Sequence, residues 1–114
     1  MKRLIIASTF LLTCMFFDSF SQSCTPPQSG VFTASVIVII NNAGCPGYVF
    51  VQLNTTNGNF YISPTDPNYE TEIACVITAK AKGTQIEVNI LNNSNGEKCG
   101  GSTCYGQISW LTMK

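Results

Sequence analysis

The feature that most constrains this chain is a change of hydrophobic period. From Val31 to Met113 the apolar residues mostly alternate, apart from one stretch, Tyr69 to Lys82, in which they recur at three- and four-residue intervals. Alternation marks strands with one buried face, and the three-to-four spacing marks a helix packed on one side. The order predicted is three strands, one helix, two strands.

The first strand is Val31 to Ile40, rich in β-branched residues. Its second half, Val36-Ile37-Val38-Ile39-Ile40, is apolar on both faces, so a neighbouring subunit, the N-terminal arm or simply a central position in the sheet must cover the outer one. The second strand, Tyr48 to Thr55, places Val49, Val51 and Leu53 on one face and Tyr48, Phe50 and Gln52 on the other. Asn57-Gly58 is a hairpin turn signal, because both residues tolerate positive φ. Asn59 to Ser63 is the third strand, ended by Pro64.

Asp66-Pro67-Asn68 opens the helix, with proline tolerated in a first turn. Tyr69, Ile73, Val76, Ile77 and Lys80 form one helical face. Glu70 and Glu72 sit near the positive end of the helix dipole, Lys80 and Lys82 near the negative end, and Gly83 closes it. A strand over Ile73 to Thr78 is the competing reading, outweighed by the charge placement and both end signals. The fourth strand, Thr84 to Leu91, alternates Ile86, Val88 and Ile90 with Gln85, Glu87 and Asn89. The fifth is Tyr105 to Met113, with Ile108 and Trp110 expected on one face, after a long polar loop over Asn92 to Thr103. A helix between strands three and four is the arrangement of a small, mainly β, five-stranded OB-like barrel.

The segment before these elements reads as an export signal. Lys2 and Arg3 precede an apolar run, Leu4 to Phe17, which is shorter than the about 20 residues a membrane span needs. Ser19 and Ser21 are the small residues a signal peptidase accepts, which predicts cleavage between Ser21 and Gln22. Residues 1–21 are thus expected to be a signal peptide and residues 22–114 a single secreted or periplasmic binding domain. Lipidation at Cys14 fits poorly, because Thr13 precedes it and Phe16 and Phe17 prolong the apolar run.

Without that segment the cations are Lys80, Lys82, Lys98 and Lys114, against Asp66, Glu70, Glu72, Glu87 and Glu97. Phosphate backbones require concentrated Lys and Arg, so nucleic acid is excluded as a ligand. Of the six cysteines, five follow Cys14. Export favours two disulfides and one thiol. Cys99 and Cys104 flank the flexible Gly100-Gly101-Ser102-Thr103, which favours Cys99–Cys104 with Cys24–Cys45; other two-bridge pairings stay open. Cys75, mid-helix beside the core, is expected to be the free thiol.

No histidine is present, which removes Ser-His and Cys-His nucleophiles, and zinc ligation is weak without it. Glu70 and Glu72 are two apart on a helix and do not face each other, so they read as helix-start charges rather than a glycosidase pair. No cofactor is expected and the chain is not read as an enzyme. Sugar-binding chemistry is better supplied. Thr33, Ser35, Asn54, Thr55, Thr56, Asn57 and Gln107 offer hydroxyls and amides, and Tyr48, Phe50, Tyr61 and Tyr105 offer ring faces.

The stretch Ser29-Gly30-Val31-Phe32-Thr33-Ala34-Ser35-Val36-Ile37 resembles the first strand of the B subunit of subtilase cytotoxin, and Ala79-Lys80-Ala81-Lys82-Gly83-Thr84-Gln85-Ile86-Glu87-Val88 resembles its helix end and following strand. The resemblance implies an OB-fold subunit of an AB5-type toxin, assembled as a homopentamer, binding cell-surface sialylated glycans and carrying a toxin A subunit. It matches Thr33 to the hydroxyl that contacts sugar; Ser29 at the strand start, with the hydroxyl of Ser35 and the amide of Asn54, completes the expected glycan-contacting set. Ser29 replaces the family's acidic residue, and Ile90 or Leu91 its strand-four aromatic. The alternative is a monomeric exported adaptor or inhibitor that binds protein through a sheet face or edge.

Overall fold

The computed structural model describes residues 22–41, 44–56 and 58–114; the expected export signal with Cys14, and Asn57 of the predicted turn, lie outside them. The elements are β1 (Ser23–Cys24), β2 (Gly30–Asn41), β3 (Val49–Leu53), β4 (Asn59–Ile62), α1 (Tyr69–Lys82), β5 (Gln85–Ile90), β6 (Gly96–Glu97) and β7 (Gly106–Met113). The chain is mainly β with this helix, and no helix among the described residues is long and apolar enough to cross a membrane.

Five strands form one sheet in the order β2-β3-β4-β7-β5, and β5 pairs back onto β2, so the sheet closes on itself. The contacts are antiparallel except β4 with β7, where Phe60 and Tyr61 run parallel to Gly106 and Gln107. Inside lie Ala34, Val36, Val51, Leu53, Phe60, Ile62, Ile86, Val88, Ile90 and Ile108, all buried. The alternation of β5 is why Ile86, Val88 and Ile90 all reach this core.

Helix α1 covers one opening with Val76 and Ala79, both fully buried, and with the partly buried Tyr69 and Ile73. Ile77 was expected on this face and is exposed instead; Ala79, three residues beyond Val76, takes the inner position. Gly83 ends the helix at φ 70°, a left-handed conformation that favours glycine, and the Thr84 N–H donates to the Ala79 carbonyl at 3.0 Å. Glu72 is not a solvated helix-start charge. It is 6% exposed.

Two bulges alter the faces predicted by strict alternation. Val36 lies opposite Leu53 but Val38 opposite Gln52, so Ile37 is an inserted residue and stands exposed. Beyond it Ile39 turns to the main core and Ile40 to a second cluster. In β7, Ile108 lies opposite Ile90 and Trp110 opposite Asn89, which makes Ser109 the insertion. Ile108 is therefore buried while Trp110 faces outward, and the expectation of one shared face is corrected.

The polar loop 91–105 is structured. β1 pairs with β6, Glu97 bridges back to Tyr105, and the hairpin carries Cys99 at its tip. The disulfides are Cys24–Cys104 and Cys45–Cys99, with Cys75 free. The four expected cysteines are bridged, but the expected partners are exchanged. Pairing of Cys24 with Gly96, and of Glu97 with Tyr105, brings Cys24 beside Cys104. A Cβ on Gly96 would lie 2.8 Å from Cys104 Sγ, so the bridge occupies the space a side chain would need. Cys99, at φ 50°, turns at the tip toward Cys45 instead of closing the short loop.

Candidate functional site

The aromatic residues expected to stack on sugar are used up by packing. Phe50 on β3 and Tyr61 on β4 are cross-strand neighbours on the outer side of the sheet. Tyr105 packs on Phe50 at 4.7 Å between ring centroids, and Tyr48 on Tyr61 at 5.5 Å. The Cys45–Cys99 bridge covers them. Phe50, Tyr61 and Tyr105 are buried and Tyr48 is half-buried. The Tyr61 hydroxyl donates to the Asn95 carbonyl. Burial, with Tyr48 and Glu97 nearby, raises its pKa to about 12. Phe50 and Tyr105 still border a cleft of about 320 Å³ with Lys98 and Thr103, and Tyr48 and Tyr61 border one of about 290 Å³ with Asn95 and Glu97.

The open surface is the outer side of β2, β5 and β7. Thr33 lies opposite Glu87, and Glu87 opposite Thr112; one row along, Val31 lies opposite Asn89, and Asn89 opposite Trp110. Directly opposed residues in an antiparallel pair share a face at about 4.5–5.5 Å between Cβ atoms, so these six side chains form one patch. Trp110 is 40% exposed and Val31 57%. The Asn89 amide donates to Ser109 Oγ at 2.8 Å, which orients it beside Trp110. Thr33 Oγ1 stands 3.5 Å from Glu87 Oε2, which also holds the Lys114 ammonium at 3.5 Å.

Thr33 is exposed within this patch. Ser35 is half-buried on the same outer face, and exposed Asn54 joins it through its backbone N–H, which donates to the Ser35 carbonyl at 2.8 Å. Ser29 precedes the strand and is exposed, but at about 3.3 Å per residue it lies about 20 Å from Ser35. Thr33, Ser35 and Asn54 thus form one strip, and Ser29 is at its far end. Trp110, Asn89 and Ser109 were missed from the sequence. The alternation of β7 alone places Trp110 with Ile108, and the inserted Ser109 reverses it.

Ser109 also borders a cleft of about 390 Å³ with Ser63, Thr65, Asp66, Asn68 and Gln107. Its wall is polar, so the patch around Trp110 continues into a groove of hydroxyls and amides. A neighbouring cleft of about 290 Å³ between α1 and β7 shares Asn68 and Ser109 with it, is bordered by Trp110, and holds Glu72 and Cys75. Glu72 Oε1 is buried without a hydrogen-bond partner. Burial, a hydrogen bond to Asp66 and the Asp66 charge raise the Glu72 pKa to about 7, and burial and then Glu72 raise that of the Cys75 thiol.

No protein-family model matches the chain, no curated protein matches it, and no solved structure matches its fold. The chemistry available on the open face is that of exposed tryptophan, amide, hydroxyl and carboxylate groups held by rigid strands.

Proposed function

We propose that this chain is an exported, sugar-binding module of OB-barrel type, working as a homopentameric ring like the B subunits it resembles. The strand circuit, first to second to third to fifth to fourth and back to first, with a helix between third and fourth, supports the barrel assignment. The two disulfides fit an oxidising compartment.

OB barrels commonly take ligands across strands two and three and the adjoining loops. Here Phe50 and Tyr61 on those strands are mostly buried in the cluster that contains the Cys45–Cys99 bridge, so the ligand is assigned to the outer side of β2, β5 and β7. The observation that carries this reading is Trp110, exposed beside the Asn89 amide and one row from Thr33 and Glu87. Tryptophan supplies an apolar ring face with a polar N–H, and the neighbouring amide, hydroxyl and carboxylate match the hydroxyls of a pyranose. Single sugar contacts are weak, and a ring multiplies them through effective concentration. A toxin A subunit would be its cargo.

The test is a glycan array probed with the mature chain. Binding that disappears in Trp110→Ala and Thr33→Arg, both folded by circular dichroism, supports the reading; unchanged array binding by both variants rejects it. A second reading, a monomeric protein-binding adaptor, draws on Val31 and Trp110 as exposed apolar side chains on either side of Asn89. Light scattering separates the two assemblies.

A further inference from the structure

We infer that hydrolysis of the Ser21–Gln22 peptide bond creates a terminal α-ammonium that binds the buried Glu97 carboxylate as an intramolecular ligand. Glu97 is 5% exposed. The Gln22 backbone nitrogen stands 3.1 Å from Glu97 Oε1 and 3.1 Å from Oε2. An amide nitrogen has one proton to divide between those two oxygens. An ammonium has three, one for each oxygen and one for solvent, and adds a full positive charge. Charge-assisted hydrogen bonds of that kind are roughly twice as strong as neutral ones.

The remaining contacts hold Gln22 in place for this role. Its carbonyl accepts the Lys98 N–H at 3.0 Å. The next two residues, Ser23 and Cys24, pair with Glu97 and Gly96, and Cys24 is bonded to Cys104. Independently, the apolar run Leu4 to Phe17 followed by Ser19 and Ser21 places a signal-peptidase cut at the same bond. In that step water adds across the C–N bond, Ser21 retains the carboxylate and the Gln22 nitrogen leaves as the ammonium. Processing then completes the clasp that joins β1 to β6 and sets Cys24 beside Cys104. The inference stands on the arm alone and not on the sugar-binding reading.

The experiment compares exported, processed protein with a form carrying three extra residues before Gln22, each with Glu97 and with Glu97→Gln. Terminal sequencing and intact mass of the exported form are expected to give Gln22 as the first residue, with its side chain uncyclised. The extension is expected to lower Tm by about 4–8 °C, the shift that loss of one such interaction causes in a domain of this size. In the extended background Glu97→Gln is expected to change Tm much less than in the processed one, because the contribution of the terminal ammonium is absent there. A first residue other than Gln22, a Gln22 cyclised with loss of ammonia, or equal effects of Glu97→Gln in both backgrounds overturns the inference. If processed Glu97→Gln fails to fold, the extension alone decides: an unchanged Tm overturns it, and a lowered Tm supports it.

Discussion

Cys45, in the loop after β2, is bonded to Cys99, in the loop before β7, across 54 residues. The bond makes two distant loops a single lid over Phe50, Tyr61 and Tyr105. It also explains why aromatic residues that look available in the sequence are mostly buried, while Trp110 stands exposed on another face.

The lid's contribution is measurable. Closing a loop of this length restrains the unfolded chain by about 4 kcal/mol in the entropic model. Cys45→Ala with Cys99→Ala is expected to lower unfolding stability by about 2–5 kcal/mol in urea titration, and to increase binding of a hydrophobic dye as Phe50 and Tyr105 become accessible. An unchanged midpoint would mean the lid is held by packing alone.

Glu72 imposes a pH dependence of defined sign. Its pKa is raised from 4.5 to about 7 in the folded chain. Between those values the folded form keeps a proton that the unfolded form has released, so stability falls as pH rises through the window. The penalty is fully developed above about pH 7, on the order of 2–3 kcal/mol. Glu72→Gln removes the ionisation while nearly keeping the side chain's size. The variant is expected to gain stability over wild type at pH 8 and little at pH 4. Parallel stability–pH profiles for the two proteins would remove Glu72 from the account.

Cys75 is expected to be a slow thiol. It is half-buried, and burial followed by the Glu72 charge raises its pKa; the thiolate is the reactive form. A chromogenic thiol reagent at pH 8 should titrate the native protein slowly and one thiol per chain rapidly after denaturation. Glu72→Gln should speed the native reaction. Two or more thiols, or a native rate equal to the denatured one, would contradict the disulfide map or the burial of Cys75.

The element order was readable because period and end signals agreed: β5 alternates without interruption, and α1 runs from Asp66-Pro67-Asn68 to Gly83 with charges matched to its dipole. What was not readable depended on insertions and on loops meeting in space. Nothing in Ile108-Ser109-Trp110 announces that Ser109 is the extra residue, yet that bulge decides whether tryptophan is core or surface. Likewise the short Cys99–Cys104 loop is favoured locally, and only the β1–β6 pairing shows that Cys104 has Cys24 beside it. Glu72 reads as a helix-start charge because its burial comes from α1 meeting β7, and the burial of Glu97 comes from β1 meeting β6.

Trp110 is the chain's one tryptophan, so its emission reports on the proposed sugar face directly. The decisive measurement is fluorescence of the mature protein titrated with the glycan that binds best on the array. The account predicts a saturable change in Trp110 emission at the concentrations that give array binding, absent in Thr33→Arg. Glycan binding that leaves Trp110 emission unchanged, or a chain that binds no glycan, would contradict it.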